Sequence, residues 1–522
     1  MIETLSLEAL SRPLRGSALA RDALAGALND WYAPVPVGHA GWGSAADAVK
    51  REFSGPDWLA ALEPALDASG AARERLRECA AAGGVVVTTG QQPGLFGGPL
   101  YVLHKALTAL ALADELRAQT GIASAPIFWA ATDDTDFVEA NHVGVVLHGG
   151  LRTLGGAQST TPGVSMATTP IGDIAGDMER LAEACGSAAD ASPLAAVRRA
   201  YVPGASVGGA YVQLLRDLLQ PLGVAVLDAA HAAVRRAAFP VVRRALESAE
   251  SVRDALQQRT LELRGLKHRP QVADVSGLSL VFATASDGSR QRVPVRDVIA
   301  TATVAALDVE RSRLGPNVLL RPIVERSILP TVAYVGGPGE VAYFAQVSAV
   351  ARALGAALPR IVPRWSGTLI EPHVREILDR LGASVGDFRD PHAIEGRIAR
   401  AEIAPVVRSA LGHISSVLAS ESDLLKADPA SSEALQRSVE SMRRGAEHRL
   451  ARLERRYAAA VKQSGTQRLR DVAVARASLF PDGEPQERVL SFVPFLSKYG
   501  GATVDVVLTG ARLHVSHLIT GD

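Results

Sequence analysis

The tripeptide Gly-Gly-Pro occurs twice, at 97–99 and at 336–338, each time after an apolar strand candidate and before a helical run. This pair constrains the fold more than any other feature of the chain. A short β-branched run, Gly84 to Thr88, precedes the first turn, and the apolar run Ile328 to Val335 precedes the second. If both runs are strands of one parallel sheet, both turns emerge at its carboxyl edge, where open α/β proteins bind ligands. Further strand candidates at Ile127–Ala131, Val143–Leu147 and Gly223–Asp228 alternate with helical patterns, which predicts an α/β fold with a parallel-sheet core. Residues 270 to 305 hold shorter alternating strands, and 150 to 200 are Gly-, Thr- and Ala-rich with weak periodicity, as expected of an insertion.

After the first turn, Leu100, Leu103, Leu107 and Leu110 recur at helical spacing up to about Arg117, while Tyr101, His104, Lys105 and Thr108 fall within an arc of about 100° on another face. The helix is therefore expected to set a polar face beside an apolar one. From 393 to 463 the texture changes. Val407, Leu411, Ile414 and Leu418 recur at four, three, four. After Asp428-Pro429 the pattern resumes with Leu435, Val439, Met442 and Ala446. Two long helices around a proline turn form a helical hairpin, an antiparallel coiled coil. The expected organisation is a core over 1–392 with a helical lead-in and the insertion, the hairpin over 393–463, and a return to the core over 464–522.

The 55 basic residues balance 55 acidic ones, which argues against a general nucleic-acid or membrane-surface binder. The two cysteines, Cys79 and Cys185, are too few for a disulfide framework and lack metal-ligand spacing, so a cytoplasmic setting and no tightly bound metal are expected. No apolar run approaches the ~18 residues of a membrane span.

The first Gly loop, with glycines at 90, 94, 97 and 98, matches neither the P-loop nor the dinucleotide fingerprint. Its physics is related, since glycines admit a ligand to backbone amides and the following helix N-terminus favours anions. His104 and Lys105 stand in the first turns of that helix, where they could meet phosphate or carboxylate. Asp133, Asp134 and Asp136 follow a strand directly, and such clusters hold a cation, receive an amine or raise one pKa for acid–base work. Asn141 and His142 close this segment. Arg321, after the run Val318–Leu320, is placed to grip a carboxylate or to pair with Glu325.

Two long motifs carry a family resemblance. One runs from Thr89 through Gly90, Gln91, Gln92, Gly97, Gly98 and Tyr101 to His104 and Lys105. The other runs from Leu319 and Arg321 through Tyr334, Gly336, Gly337 and Glu340 to Gln346. Both resemble the bacillithiol-biosynthesis cysteine-adding enzymes (cysteine ligase, BshC). The resemblance covers nearly the whole chain and includes the closing Phe495-Leu496-Ser497-Lys498-Tyr499-Gly500. It implies a Rossmann-like core with connecting insertions and a coiled coil that mediates homodimerisation. It also implies addition of L-cysteine to the amine of glucosaminyl malate, with ATP or another adenine nucleotide, and magnesium with it, as the natural source of activation. On that reading His104, Lys105, Asp134 and Asp136 are the catalytic candidates. The remaining motif residues, with Asn141, His142 and Arg321, are the binding candidates. One departure stands out: where the family usually has Glu-Asp-His-Asp-Phe, this chain has Asp133-Asp134-Thr135-Asp136-Phe137, so no imidazole is available at Thr135. A nucleotidyltransferase or sugar-modifying enzyme on the same scaffold, and a coiled-coil scaffold protein, are the alternative classes.

Overall fold

The computed structural model describes residues 6–53, 57–155, 163–273, 275–285, 288–308, 313–463 and 467–520. Parts of the expected lead-in (1–5, 54–56), insertion (156–162) and return (464–466, 521–522) lie outside the described residues. The elements that frame the site are, in chain order, β1 (Val85–Gln91), α1 (Leu100–Thr120), β2 (Ser124–Ala130), α2 (Phe137–Ala140), β3 (Ala225–Asp228), α3 (Ala232–Glu247), β4 (Leu278–Thr284), β5 (Arg290–Pro294), β6 (Leu314–Pro316), α4 (Arg321–Ile328), β7 (Thr331–Gly336), α5 (Pro338–Ala353) and β8 (Ile361–Pro363). Then come α6 (Pro372–Leu381), α7 (Pro391–Ala401), α8 (Pro405–Ala427), α9 (Glu433–Gln463), α10 (Gln467–Leu479) and α11 (Gly501–Thr520).

Five strands form one sheet in the order β8-β7-β1-β2-β3, with every neighbouring pair parallel. Strands β1 and β7 lie side by side, with Val335 opposite Thr89. The two Gly-Gly-Pro turns therefore leave the same edge of the sheet, as their sequence context predicts. Val85, Val86 and Val87 are buried, the continuous apolar run expected of a parallel strand covered on both faces. A smaller antiparallel sheet, β5-β4-β6, comes from the 270–305 region and the strand after it.

One expectation needs correction. Helix α1 is not amphipathic: it lies between the sheet and α11, and His104, Lys105 and Thr108 are as buried as its leucines. Thr108 Oγ1 donates to the His104 carbonyl at 2.6 Å and accepts from Trp365 N at 3.1 Å, while His104 Nε2 is buried without a partner. At the end of the run Val318–Leu320, Asn317 Oδ1 accepts from Leu319 N and Leu320 N, bending the chain into α4, which Arg321 opens.

The chain divides into two compact units, one of residues 7–145, 152–369 and 487–522, the other of residues 370–486 with 1–6 and 146–151. The division falls at 370, not at 393, because Val374, Ile377, Leu378 and Phe388 share a core with Val472, Ala475 and Leu479 of α10. Within the second unit α8 and α9 pack as the expected hairpin, turned at Asp428-Pro429. Ile414, Leu435 and Met442 of its apolar repeat are exposed. Among the described residues no single helix is long and apolar enough to cross a membrane.

Candidate functional site

The site occupies the carboxyl edge of the sheet, where β1, β7 and β8 end together. A cavity of about 270 Å³ opens there, walled by Gly90, Gln91, Gln92, Tyr101, Lys105, Glu139, Arg321, Gly337, Glu340, Tyr343, Arg364 and Arg488, among others. Lys105 is its central cation. It reaches back from α1 under the end of β1, donating to the Gly90 carbonyl at 2.7 Å and to Gln91 Oε1 at 2.9 Å, and it pairs with Glu340 at 2.5 Å. Gly90 must be glycine because a Cβ there would lie 2.7 Å from the Trp129 carbonyl oxygen.

Glu340 stands in the first turn of α5. Its carboxylate accepts from Gly337 N at 2.6 Å and from the Tyr334 hydroxyl as well as from Lys105. Burial alone would raise its pKa. The Lys105 charge and these hydrogen bonds outweigh burial and hold it below the usual carboxylate value. Burial draws Lys105 below its ordinary value, with Glu340 opposing.

Arg321 lines the same cavity, with the Tyr343 hydroxyl 3.4 Å from its guanidinium, and among the described residues no carboxylate lies within ion-pair distance of it. Of its two expected uses, the ion pair with Glu325 is absent. Glu325 instead accepts from Thr88 Oγ1, and burial pushes its carboxyl up to about 8. Arg488 likewise has no carboxylate within ion-pair distance among the described residues. Glu139, on α2, is open to solvent at its surface and receives Gln92 Nε2 at 2.5 Å. Partial burial and repulsion from Asp136 and Asp134 raise its pKa.

Two more cavities adjoin this one. A space of about 290 Å³ shares Gln91, Gln92, Tyr101, Glu139 and Arg488 with it and adds Gly98 and His142. Another, of about 330 Å³, shares Arg321 and is lined by Trp129, Ala229, Val234 and Ala238 and by Arg235, Arg290 and Arg313. The indole Nε1 of Trp129 is buried there and has no hydrogen-bond partner.

Several candidates are placed elsewhere. His104 is wholly buried and does not line Lys105's cavity. Its Nδ1 donates to Glu487 at 3.0 Å, and its ring meets Trp365 edge-on. Asp134 accepts from Asp136 N, and Asp136 caps α2 by accepting from Glu139 N at 3.1 Å. Neither lines the cavity, because the loop spends these carboxylates on its own amides and pairs Asp133 with Arg290. Asn141 ends α2, and His142 Nδ1 donates to the Val138 carbonyl. Gly336 packs on Ile361, Tyr334 lies beneath Glu340, and both ends of the Gln346 amide are taken by the Val272 backbone.

The first Gly loop also differs from expectation. Gly97 N donates to the Gly94 carbonyl and Gly98 N to Leu95, while Leu100 N is bonded to Leu490. A Cβ on Gly97 would strike the Phe492 ring. These amides are thus committed to the turn, not offered to phosphate. The residues missed by sequence reasoning are Glu139, Arg364, Glu487 and Arg488. Arg364 directly follows a short apolar strand, so the edge argument could have found it. Glu487 and Arg488 arrive from beyond the coiled coil, and no local pattern marks them.

The description "Bacillithiol biosynthesis BshC, N-terminal Rossmann-like domain" matches residues 56–365, and the same family's C-terminal coiled-coil domain matches 367–512. The chain belongs to the BshC family. It is similar to the proteins named "Putative cysteine ligase BshC" of Koribacter versatilis (strain Ellin345), 34% identical with 85% of each chain covered, and of Solibacter usitatus (strain Ellin6076), 32% identical with 87% of each covered. A third, from Salinibacter ruber (strain DSM 13855 / M31), is 30% identical, with 84% of this chain and 83% of the relative covered. Membership in the BshC family assigns the chain to bacillithiol biosynthesis as a ligase.

Proposed function

We propose that this enzyme joins the carboxyl group of L-cysteine to the amine of glucosaminyl malate, forming an amide. The observation that carries this reading is the cation-rich cavity at the sheet edge. Arg321 and Arg488 lack carboxylate partners among the described residues and suit a substrate bearing carboxylates. Glu139, the one cavity carboxylate with a raised pKa among those described, is the acid–base group beside them. The amine nitrogen attacks the carboxyl carbon of cysteine. The new C–N bond forms as the amine proton passes to Glu139 and the activated carboxyl oxygen departs. Lys105, held at fixed position by Gly90, Gln91 and Glu340, stabilises the negative charge that develops on the carbonyl oxygen.

An adenine nucleotide with magnesium would supply the activation, turning that carboxyl oxygen into a leaving group. The adjoining cavity suits such a group: its apolar wall would take a base, the unpartnered Trp129 Nε1 would donate to it, and Arg235 and Arg313 would hold phosphates. The exposed apolar repeat of the α8–α9 hairpin supports a homodimer formed through the coiled coil. The chain is read as cytoplasmic, with small-molecule partners only.

The test is incubation of the purified protein with L-cysteine, glucosaminyl malate and magnesium-ATP, with the product weighed by mass spectrometry. A mass equal to the two substrates less one water is expected. Intact substrates after incubation with folded protein would reject the reading. Thermal stabilisation by ATP is expected in the same preparation, and a protein working only as a scaffold would lack it.

A further inference from the structure

Behind the cavity lies a charged group that the proposed chemistry does not yet use. Glu487, only 5% exposed, receives five hydrogen bonds on its two carboxylate oxygens. They come from Arg364 Nη1 at 3.0 Å and Nη2 at 2.7 Å, Ser366 Oγ at 2.9 Å, Gly367 N at 3.2 Å and His104 Nδ1 at 3.0 Å. Burial draws the His104 pKa below its ordinary value against the pull of Glu487, and a carboxylate opposite Nδ1 requires a proton on that nitrogen. Arg364 Nη1 also donates to the Trp365 carbonyl at 2.8 Å.

The terminal nitrogens of Arg364 are thus spoken for. Its Nε is not. It is buried, in a residue 2% exposed, and has no hydrogen-bond partner. It lies 3.8 Å from the point where a side chain on Gly337 would begin, as does Lys105 Cε. Gly337 therefore keeps open a gap that Arg364 and Lys105 border together. Glu340 faces the same gap, but its carboxylate is already engaged by Lys105, Tyr334 and the Gly337 amide. Arg216 and Arg443 also keep an unpartnered Nε, but Arg364 alone of these lines the cavity of Lys105, where a bound anion can supply the missing acceptor.

We propose that Glu487, braced by His104, is a positioning residue that fixes Arg364 so that its Nε–H grips a carboxylate or phosphoryl oxygen of the bound reactants in the gap beside Gly337. This rests on the assignment of the cavity to the reactants, but its test does not depend on turnover. The probes are L-malate and inorganic phosphate, each titrated into the full-length protein and followed by thermal shift and by tryptophan fluorescence, to which Trp365 beside His104 contributes. Three variants are compared with the wild type. Glu487→Gln loosens Arg364, Arg364→Lys keeps the charge but removes Nε, and Gly337→Ala puts a methyl in the gap, 3.3 Å from Glu340 Oε2, while leaving the Glu487–Arg364–His104 bonds in place.

The expected result is a loss of roughly ten- to a hundredfold in affinity for at least one probe in all three variants. Where turnover is measured, KM for glucosaminyl malate or ATP should rise by a similar factor in Gly337→Ala, with kcat altered far less. Loss confined to L-malate identifies a substrate carboxylate as the occupant, and loss confined to phosphate identifies a phosphoryl group. Either outcome supports the proposal. Should Glu487→Gln fail to fold, Gly337→Ala, whose backbone φ is ordinary, carries the test. Unchanged probe affinity in folded Gly337→Ala and Arg364→Lys would overturn the proposal, as would a wild type that binds neither probe. A protein that binds a probe through Arg364 yet makes no amide would refute the proposed function and leave this inference standing.

Discussion

The pair Lys105–Glu340 offers the sharpest test of how the site is held together. Its nitrogen and oxygen lie 2.5 Å apart, with side chains 3% and 13% exposed. At an effective dielectric of ~20, charges at that distance attract by about 6–7 kcal/mol before desolvation is counted. Desolvation costs several kcal/mol per ion, so the pair is worth little net, but removing one partner strands the other. Lys105→Met leaves the Glu340 carboxylate buried with only Tyr334 and Gly337 as partners. Glu340→Gln leaves Lys105 with Gly90, Gln91 and a neutral amide. Each single change should therefore cost about 3–5 kcal/mol. The double variant strands no charge and should be more stable than the sum of the two losses predicts, by at least ~2 kcal/mol. The assay is guanidinium unfolding of the four proteins followed by tryptophan fluorescence, completed as a double-mutant cycle. Strictly additive losses would refute the reasoning, because they would mean that each residue is held by its other partners and that the ion pair contributes nothing of its own.

Other outcomes follow from the same structure. Glu325 has its carboxyl raised from 4.5 to about 8. The folded chain thus holds a proton that the unfolded chain has released across that window, so its contribution to stability is full below about 4.5 and is lost as pH rises to about 8, a change of about 5 kcal/mol at most. Melting temperatures of Glu325→Gln should accordingly fall less between pH 5 and 8 than those of the wild type, and parallel curves would discard the assignment. If Glu139 takes the amine proton, Glu139→Gln should lower kcat by about 10²–10⁴-fold and abolish an acid limb of the kcat/KM profile that lies above the ordinary carboxylate range. Arg321→Ala should raise KM for an anionic substrate by at least about tenfold in steady-state assays while leaving the melting temperature near the wild-type value. Gly97→Ala should destabilise the protein by at least ~2 kcal/mol in denaturant unfolding, since Gly97 has φ +86° and a Cβ there would lie 2.5 Å from Phe492.

Much of the architecture was legible in residue order. The strand at Val143–Leu147 is where the apolar run puts it, and the runs at 84–88, 127–131 and 223–228 lie on β1, β2 and β3 with ends displaced by a few residues. The break at Asp428-Pro429 separates α8 from α9. These are local signals: period, β-branching and the inability of proline to continue a helix. The polar residues of α1 were misread for the converse reason. Periodicity reports which residues share a face but not what covers that face, and here Glu340, Trp365 and Glu487, all distant in sequence, meet it.

The candidate site divides along the same line. Lys105, Glu340, Gly90 and Gly337 could be chosen from sequence because each sits in or just beyond a turn that a parallel sheet must deliver to one edge. His104 could not be told from Lys105, although adjacent helix positions differ by 100° and one meets the cavity while the other meets Glu487. Sequence alone determined an α/β core, a helical hairpin and two glycine turns bound for the same edge, since these follow from short-range sterics and the twofold or 3.6-fold repeat of side chains. Only the tertiary structure decided which charges meet. It brought Arg364 from β8 and Glu487 from beyond the hairpin against α1, and in a dry interior the partner at 3 Å, not the neighbour in sequence, decides what an ionisable side chain can do.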